Sequence, residues 1–557
     1  MIERKDSVRP ARADYPNLLR LPEPYSAQLP SAGWLLLGLV VLCAVPRTIM
    51  ALKLGSVCPD GVLYIQLSES LDRGNWDAAF SEMRLNLFPA VLVLLHRTGL
   101  GWELAGKLWG VSMSSLAVLP LYGWVRRQFD PRVALVASIL YAFHPKLILW
   151  SPELIRDPTF WFAFVLSLYL LWRAVTEVRL RWFVAAGLAM TCAMLTRFEG
   201  AFLLLPLGLW SLWRMLALRK SRGRLALGAV LCVLVLPALL GLVNAMWLRD
   251  YSHWEGLRTK PLELLQTWLG YVGGKEPTLV AHPDFAVIPT RMSPHELCWR
   301  FIHMGEAALT PCFALLMFGG IWVWRRLWLR CDHQPLFYLA LTLVVGVNIH
   351  LWYAQGSNDR YLLPIVLMGS PFAALAVIDL AGWLARQCGR LGAAWAAGEN
   401  RVAAGLLAVF AAVGCTIVIA ADYSGRRAEP YLGALIQHKV GGAPVVLGSE
   451  GGAVVVSYYA GGIVHTVPME AQDAAILAAV EEVRPDVLVL GVTHRMGGIA
   501  ATRYGPLIRQ MEARGFREVD RAQLPPGCES RALLIRSGSD RDAAAHRPVS
   551  TSPGSVQ

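Results

Sequence analysis

The stretch GWLLLGLVVLCAVPRTIMALKLGSVCPDGVLYIQLSE, residues 33–69, joins a long apolar run to a polar segment whose first carboxylate is Asp60. The run over Gly33–Leu52 is long enough to cross a bilayer, and it starts too late and lacks the cleavage site expected of a signal peptide. Because four arginines and one lysine precede it, the positive-inside rule places residues 1–32 in the cytoplasm as a tail. Asp60 is then expected just past the outer membrane surface, in a Pro-Asp-Gly turn, with Tyr64 one helical turn further on.

The composition is that of a membrane protein. Of the 557 residues, 55% are hydrophobic and 17% are charged, and the mean hydropathy is +0.44. Soluble proteins carry about a quarter charged residues, so a soluble enzyme is excluded. The net charge is +12, but the basic residues cluster between apolar runs, which indicates topology and not nucleic-acid binding. The ten cysteines include no CxxC pair, so neither a zinc site nor a disulfide framework is predicted.

Apolar runs recur from residue 33 to residue 421 and predict about eleven transmembrane helices. Alternate short loops between them are rich in arginine or lysine, and the opposite loops carry acids, isolated arginines and histidines. This alternation places the N-terminus inside and the end of the last helix outside. The outer loops are residues 53–101, 151–158, 196–200, 249–303 and 353–360, and short helices along the interface are expected in the first of them. The predicted spans are Gly33–Leu52, Trp102–Val125, Arg132–Trp150, Thr159–Arg173, Trp182–Leu195, Ala201–Ala217, Leu225–Leu248, Met304–Val323, Leu336–Trp352, Tyr361–Leu384 and Val402–Ala421.

From Asp422 onward the composition changes to that of a small globular domain. Short apolar runs alternate with amphipathic stretches, which predicts an extracytoplasmic α/β domain over residues 422–536. The glycine-rich Gly448–Gly452 is interpreted as a plain turn, because it lacks the dinucleotide-binding pattern. Residues 537–557 have the composition of a disordered tail. The strands are expected at Val445–Leu447, Asp486–Leu490 and Ala532–Ile535, and the helices at Asp473–Val483 and Arg503–Arg514. The predicted fold class is therefore mainly α: a polytopic membrane bundle, residues 33–421, followed by this small domain.

Ionisable residues gather in the predicted outer loops. In SPELIRDP, residues 151–158, the side chains of Glu153, Arg156 and Asp157 share a face if the segment is helical. The alternative is an ion pair internal to the loop. Lys146, just below this loop, is interpreted as a side chain that reaches toward lipid headgroups.

Two further outer loops add arginines. In TRFEG, residues 196–200, Arg197 and Glu199 lie near membrane depth, where ionisable groups are costly and usually functional. The alternative is an Arg197 that reaches lipid headgroups. In NDRYLLP, Arg360 and Tyr361 open a late helix. Together the loops suit an anionic, lipid-linked substrate, because arginine binds phosphate oxygens in a two-pronged way and a nearby carboxylate is able to act as general base.

Four segments resemble the bacterial members of glycosyltransferase family 39. They occur in the same order as in that family and lie on one predicted side of the membrane. That family groups protein O-mannosyltransferases with lipid A aminoarabinose transferases, within the C-type membrane glycosyltransferase superfamily. The resemblance covers about residues 33–384. Many relatives have two adjacent acids after helix one, whereas here Gly61 follows Asp60, so the source of a second acid stays open between Glu153 and Asp157. The matching segments are PDGVLYIQLSESL, NLFPAVLVLLHR, SPELIRDPTFWF with GLAMTCAMLTRFEGAFLLLP, and NDRYLLP.

The resemblance implies an enzyme of the bacterial inner membrane that uses a polyprenyl-phosphate sugar donor. The sugar would pass to a hydroxyl of a protein, lipid or glycan acceptor on the outer face, with inversion at the anomeric carbon. Asp60 would be the catalytic base, and Arg197 and Arg360 would hold the phosphate. No metal is predicted, and the alternatives for Glu153 and Asp157 are that they orient sugar hydroxyls or bind a divalent cation. The residues expected to contact substrate are Tyr64, Glu153, Arg156, Asp157, Arg197, Glu199, Arg360 and Tyr361.

Two other classes of protein are alternatives to a glycosyltransferase. A secondary transporter or flippase for a lipid-linked or anionic substrate is the main alternative. Transporters often contain internal repeats and helices broken at mid-membrane, but no repeat is found, and the ionisable groups cluster at one mouth. A non-catalytic membrane scaffold leaves the outer acids and arginines unexplained.

Overall fold

The computed structural model describes residues 32–76, 86–243, 294–354, 358–390, 398–449, 452–467, 473–491, 505–524 and 531–537. The predicted cytoplasmic tail, most of the predicted outer loop 249–303 and the C-terminal tail lie outside these residues.

The membrane region is helical at each predicted span, as far as the chain is described. Its helices are α1 Ala32–Lys53, α2 Pro59–Asp72, α3 Leu87–His96, α4 Trp102–Leu116, α5 Val118–Gln128, α6 Pro131–Phe143, α7 Pro145–Trp150, α8 Asp157–Glu177, α9 Leu180–Thr196, α10 Leu204–Ala217, α11 Arg222–Val243, α12 Pro294–Leu309, α13 Pro311–Val323, α14 Gln334–Ala354, α15 Leu363–Arg390 and α16 Glu399–Ala420. Short 3-10 turns at Phe198–Leu203 and Asp359–Leu362 lead into α10 and α15.

Seven helices within the described ranges are long and apolar enough to cross a membrane, or eight if a sharply bent pair is counted as one span. The chain is therefore an integral membrane protein. Three of the eleven predicted spans correspond to shorter apolar stretches, Pro131–Phe143, Leu180–Thr196 and Gln334–Ile349. The count of eleven, and the side of the membrane on which each end lies, stay predictions.

Two predicted helices are broken at proline. The prediction of a continuous helix over Met304–Val323 is wrong, because α12 and α13 meet at an angle of 96°. Pro311 lacks an N–H and disfavours helical backbone at the preceding residue, and Thr310 lies outside the helical region, with φ 58° and ψ 143°. In the same way Pro145 separates α6 from α7, with His144 extended at ψ 115°.

The expected turn at Pro59–Gly61 is also wrong, because these residues form the first turn of α2. Proline is favoured at the first helical position, and an acid there interacts well with the helix dipole. The glycine serves close packing instead, since a Cβ on Gly61 would lie 3.1 Å from the Cβ of Leu154. Asp60 thus projects from a helix N-terminus that is held against the 151–156 segment.

The core of the bundle lies among α5, α6, α8, α9, α10 and α15, where Trp124, Trp161, Trp172 and Trp210 are fully buried. The helices at the periphery of the bundle carry exposed apolar side chains. Ile49 of α1, Val230 of α11 and Val409 of α16 are each more than half exposed. Exposed apolar faces on membrane-length helices are lipid-facing surfaces.

A five-stranded sheet follows the bundle, in the order β2-β1-β3-β5-β4. The neighbours β2, β1 and β3 are parallel, and β5 pairs antiparallel with both β3 and β4. Helices pack on both faces of the sheet, which confirms the small α/β fold. The edge strands β2 and β4 were not predicted, because one is largely exposed and the other has three residues. The elements are α17 Ser424–Val440, β1 Val445–Ser449, α18 Gly452–Tyr459, β2 Ile463–Val467, α19 Asp473–Val483, β3 Val487–Gly491, α20 Gly505–Glu512, β4 Phe516–Glu518 and β5 Arg531–Arg536.

Candidate active site

The predicted outer loops, where described, meet at one end of the bundle, which we call the Asp60 end. It is formed by the N-terminus of α2, the 151–156 segment, the turn after α9 and the turn before α15. Ion pairs join these segments across long stretches of sequence, as between Asp60 and Arg360. The ionisable groups that the sequence places in separate loops therefore form one cluster.

The centre of this cluster is the ion pair between Asp60 and Arg360, whose Nη2 lies 2.5 Å from the Asp60 Oδ2. The Asp60 side chain is 40% exposed, whereas that of Arg360 is 12% exposed. Asn358 positions the arginine by accepting a hydrogen bond from the Arg360 backbone N–H at 3.2 Å. An accessible carboxylate thus lies beside a largely buried guanidinium.

A second ion pair lies next to the first. Lys146 Nζ is 2.5 Å from Asp359 Oδ2, and the Trp150 indole N–H donates to the other oxygen of Asp359 at 3.0 Å. The Arg360 guanidinium also lies 5.7 Å from the Trp150 ring centre. The interpretation of Lys146 as a lipid-reaching side chain is therefore wrong, since its ammonium group is directed into the site.

Arg197 is held by two acids. Its Nη1 lies 2.5 Å from Asp157 Oδ1 and its Nη2 lies 2.5 Å from Glu199 Oε1. All three side chains are buried, so the alternative in which Arg197 reaches lipid headgroups is wrong. With two carboxylates on one buried guanidinium, the group acts as a structural centre and is poorly placed to hold a substrate phosphate.

Arg197→Gln should lower stability strongly, because it leaves Asp157 and Glu199 buried without their counter-ion. Loss of one partner from a buried ion pair typically destabilises by about 3–5 kcal/mol. The measurement is thermal unfolding of the detergent-extracted protein. Arg73→Gln is the matched control, since Arg73 is 72% exposed in its pair with Glu69 and such pairs contribute about 0–1 kcal/mol. Equal melting of the two variants would contradict the structural role.

The Arg156 guanidinium has no ion-pair partner among the residues that the structure describes. The Arg156 side chain is half-buried and donates no hydrogen bond to any residue that the structure describes. Its charge acts on the hydroxyl of Tyr64 and on Glu199. Arg360 has a further unused donor, because its buried Nε has no acceptor among the described residues. Buried donors are normally satisfied, so these two arginines offer donors to an anionic ligand.

The two predicted tyrosines occupy different environments. Tyr64 is buried, its ring packs edge-on against Phe88 at 5.0 Å, and burial raises the pKa of its hydroxyl to about 12. Tyr361 lies between the two arginines, with its ring centre 4.7 Å from Cζ of Arg197 and 5.4 Å from Cζ of Arg360. Tyr361 thus fixes the spacing of the guanidiniums, and Tyr64 belongs mainly to the packing under Asp60.

The 151–156 segment is a series of turns, so the expectation of a shared helical face for Glu153, Arg156 and Asp157 is wrong. Neither acid pairs within the loop, which also excludes the internal ion pair. Asp157 contacts Arg197, and Glu153 is buried against Arg426, which follows the last span of the bundle.

The two acids considered for a divalent cation are each paired with an arginine. Across the described part of the chain, no group of three or more histidine, cysteine, aspartate or glutamate side chains has an arrangement that could hold a metal ion. Carboxylates neutralised by guanidinium groups are poor ligands for a further cation.

Three residues of this cluster were missed or misjudged from sequence, namely Lys146, Asp359 and Arg426. Of these three residues, only Arg426 is marked by a feature of the sequence. Arg426 and Arg427 directly follow the last apolar run on the predicted outer side, against the positive-inside rule. Arginines in such a position indicate a specific partner.

Comparison with known proteins gives one family match. The family described as dolichyl-phosphate-mannose-protein mannosyltransferase matches residues 99–240. No curated protein sequence matches the chain.

Solved structures give the fold. ArnT from Cupriavidus metallidurans in the apo state matches with a TM-score of 0.53 and 16% identity, over 90% of this chain and 98% of that one. The same protein bound to undecaprenyl phosphate matches with a TM-score of 0.52 and 16% identity, over 91% and 98%. AglB from Archaeoglobus fulgidus, with an inhibitory peptide and a dolichol-phosphate, has a TM-score of 0.49 and 13% identity, over 88% and 73%. The two ArnT matches show that this chain shares the fold of that protein over most of its length.

Proposed function

We propose that this chain, which has the C-type glycosyltransferase fold, is a membrane glycosyltransferase that moves a sugar from a polyprenyl-phosphate donor to an acceptor hydroxyl. The observation that carries the proposal is the contact between Asp60 and Arg360, which joins a proton-accepting group to a phosphate-binding group at one end of the bundle. The family match over residues 99–240 supports the same reaction class. The ArnT structure with undecaprenyl phosphate supports the class of donor.

Arg156 and Arg360 are the proposed phosphate ligands, in place of the pair Arg197 and Arg360 expected from sequence. Both have donors without described partners, whereas Arg197 is occupied by two acids. Guanidinium groups bind phosphate oxygens through paired N–H donors. Lys146 pairs with Asp359, whose other oxygen accepts from the Trp150 indole beside Arg360, and adds a compact positive charge to that side of the site.

Donor binding would release the base. In the structure the Arg360 guanidinium holds the Asp60 carboxylate in an ion pair. A phosphate that draws Arg360 toward itself frees Asp60 when donor is present. Since Asp60 is the more exposed partner, it is placed to meet the acceptor hydroxyl.

In the transfer step, the acceptor oxygen attacks the anomeric carbon from the side opposite the phosphate. The new carbon–oxygen bond forms as the bond from that carbon to the phosphate oxygen breaks, and the electron pair leaves with polyprenyl phosphate. The acceptor proton goes to Asp60. Because the attack comes from the side opposite the leaving phosphate, the step inverts the anomeric carbon. Positive charge from Arg156 and Arg360 stabilises the second negative charge that develops on the phosphate.

The reaction is proposed for the extracytoplasmic face, because the arginine- and lysine-rich loops lie at the other end of the predicted topology. Cysteine labelling from outside intact cells, at an introduced Gln66→Cys on α2, tests this placement. Labelling only after permeabilisation would put the site in the cytosol and overturn it.

The test of function is transfer by the purified protein. Radiolabelled sugars on undecaprenyl phosphate are supplied with membrane lipid and protein acceptor fractions, and covalent product is counted. Label that crosses proteoliposome membranes without joining an acceptor would favour the transporter or flippase and overturn the proposal.

Chelation should leave transfer unchanged. Glu153 and Asp157 are each bound to an arginine, so the proposed chemistry depends on guanidinium charge and not on a cation. Transfer rates with and without excess EDTA, followed by added Mg²⁺ or Mn²⁺, measure this. Loss of activity that a divalent ion restores would contradict the phosphate assignment.

A further inference from the structure

The segment that connects α1 to the helix bearing Asp60 is held by the C-terminal domain. We call this segment, Lys53–Cys58, the linker. Arg426 of α17 donates to the Ser56 carbonyl at 3.1 Å, and the Ser56 hydroxyl donates to Glu429, also of α17, at 2.6 Å. Arg427 donates to the Lys53 carbonyl at 3.1 Å. One face of α17 therefore holds the linker by three hydrogen bonds.

A second helix of the same domain holds the linker further along. The Val57 N–H donates to the Tyr459 hydroxyl of α18 at 3.2 Å. The side chains of Val455 and Tyr459 pack with Val57, Val62 and Leu154 in one apolar cluster beneath α2. Contact therefore continues from the linker into the helix that carries Asp60.

The same arginine also fixes the neighbouring wall of the site. Arg426 pairs with Glu153, whose side chain is 5% exposed. Burial alone would lower the pKa of Arg426, but the Glu153 carboxylate raises it above its ordinary value, so Arg426 stays charged. Glu153 lies between Ser151 and Leu154, and Leu154 packs against Gly61. Arg426 thus connects the two segments that set the position of Asp60.

We infer that the C-terminal domain is a structural part of the transfer site, in which α17 and α18 clamp the linker and Arg426 is a positioning residue for Asp60. This inference rests on the proposed function. The acid Glu153 is then not a substrate ligand, because the clamp uses both of its oxygens.

Cys58 provides a natural reporter of the clamp. It is the last residue of the linker and is buried, and burial together with the charges of Glu153 and Asp60 raises the pKa of its thiol well above the ordinary value. A buried, protonated thiol reacts slowly with alkylating reagents. If the clamp opens, Cys58 should become reactive.

The experiment compares Arg426→Gln, Arg426→Lys and Tyr459→Phe with wild type. The control Arg514→Gln changes a partly exposed arginine of the same domain that pairs with Glu481 and lies far from the linker in sequence. N-ethylmaleimide labelling of the Cys58 peptide is followed by mass spectrometry in native membranes. Transfer kinetics are measured on the same preparations.

We expect faster Cys58 labelling and a fall in kcat of about 10²-fold for Arg426→Gln, the scale of a misplaced catalytic group. KM for donor should change less than kcat, because Arg360 belongs to neither of the segments that Arg426 holds. Arg426→Lys should recover part of kcat. Tyr459→Phe, which removes the hydroxyl that binds the Val57 N–H and keeps the ring, covers the case in which Arg426→Gln does not fold.

Two results would overturn the inference: Cys58 protection and kcat both unchanged in Arg426→Gln and Tyr459→Phe, or Cys58 exposed with kcat unchanged. If the wild type transfers no sugar, the proposed function fails instead, and Cys58 labelling still reports whether the domain holds the linker.

Discussion

Asp60→Asn should reduce sugar transfer by about 10²–10⁴-fold, the usual loss when a general base is removed. The asparagine amide keeps the size of the carboxylate and is still able to accept a hydrogen bond from Arg360, but it does not take up the acceptor proton. The effect should fall on kcat, while binding of undecaprenyl phosphate stays near the wild-type level. Initial rates of radiolabelled transfer measure the effect on kcat, and thermal stabilisation by undecaprenyl phosphate measures the effect on binding.

The matched control is Asp72→Asn. Asp72 ends the same helix and pairs with Arg97 at 2.8 Å, so the variant removes a similar charge from α2 without touching the proposed site. It should retain wild-type turnover. If Asp60→Asn keeps turnover within about threefold of wild type, far short of the loss expected for a base, the assignment of Asp60 is wrong.

Arg360→Gln should lower transfer by about 10²–10³-fold, because it removes charge and hydrogen-bond donors from the developing phosphate dianion. Arg360→Lys should retain part of the activity, since lysine supplies the charge without the planar fork. Undecaprenyl phosphate should stabilise the Arg360→Gln protein less than it stabilises wild type. Loss of ligand binding in Arg360→Gln distinguishes the role of Arg360 from that of Asp60, because Asp60→Asn should leave ligand binding unchanged.

The control for Arg360 is Arg97→Gln, which removes another arginine that pairs with an acid of α2. Its transfer rate and lipid-induced stabilisation should match wild type. A merely structural Asp60–Arg360 pair makes a different prediction. In that case the two single variants would lose equal stability with normal ligand binding, and the double variant would be no worse than either.

Much of the fold follows from simple periodicity. Apolar runs of membrane length predict the helices, and prolines at positions 145 and 311 mark two of the breaks. The size of the bend at Thr310 does not follow, because it depends on how α12 and α13 pack. The turn expected at Asp60 failed because Pro-Asp-Gly also suits the start of a helix, and local chemistry alone does not decide between the two.

The site was harder to predict than the fold. The predicted outer loops contain the acids and arginines that the structure brings together, but the loop assignment did not say which acid each arginine would contact. Arg197 and Arg360 look alike in sequence, yet one is enclosed by Asp157 and Glu199 and the other contacts a single exposed acid. Glu153 and Arg426 are 273 residues apart, and their pairing depends on the docking of a whole domain.

The wide separation of Asp60 from Arg360 has a consequence for biosynthesis. The two side chains are 300 residues apart in the chain. At ribosomal speeds of about 5–20 residues per second, the carboxylate waits roughly 15–60 s before its guanidinium is made. Arg426 emerges later still. A nascent polypeptide therefore passes through most of its membrane insertion before the proposed site is complete, and the proposed transfer requires that residues 360 and 426 have both been made.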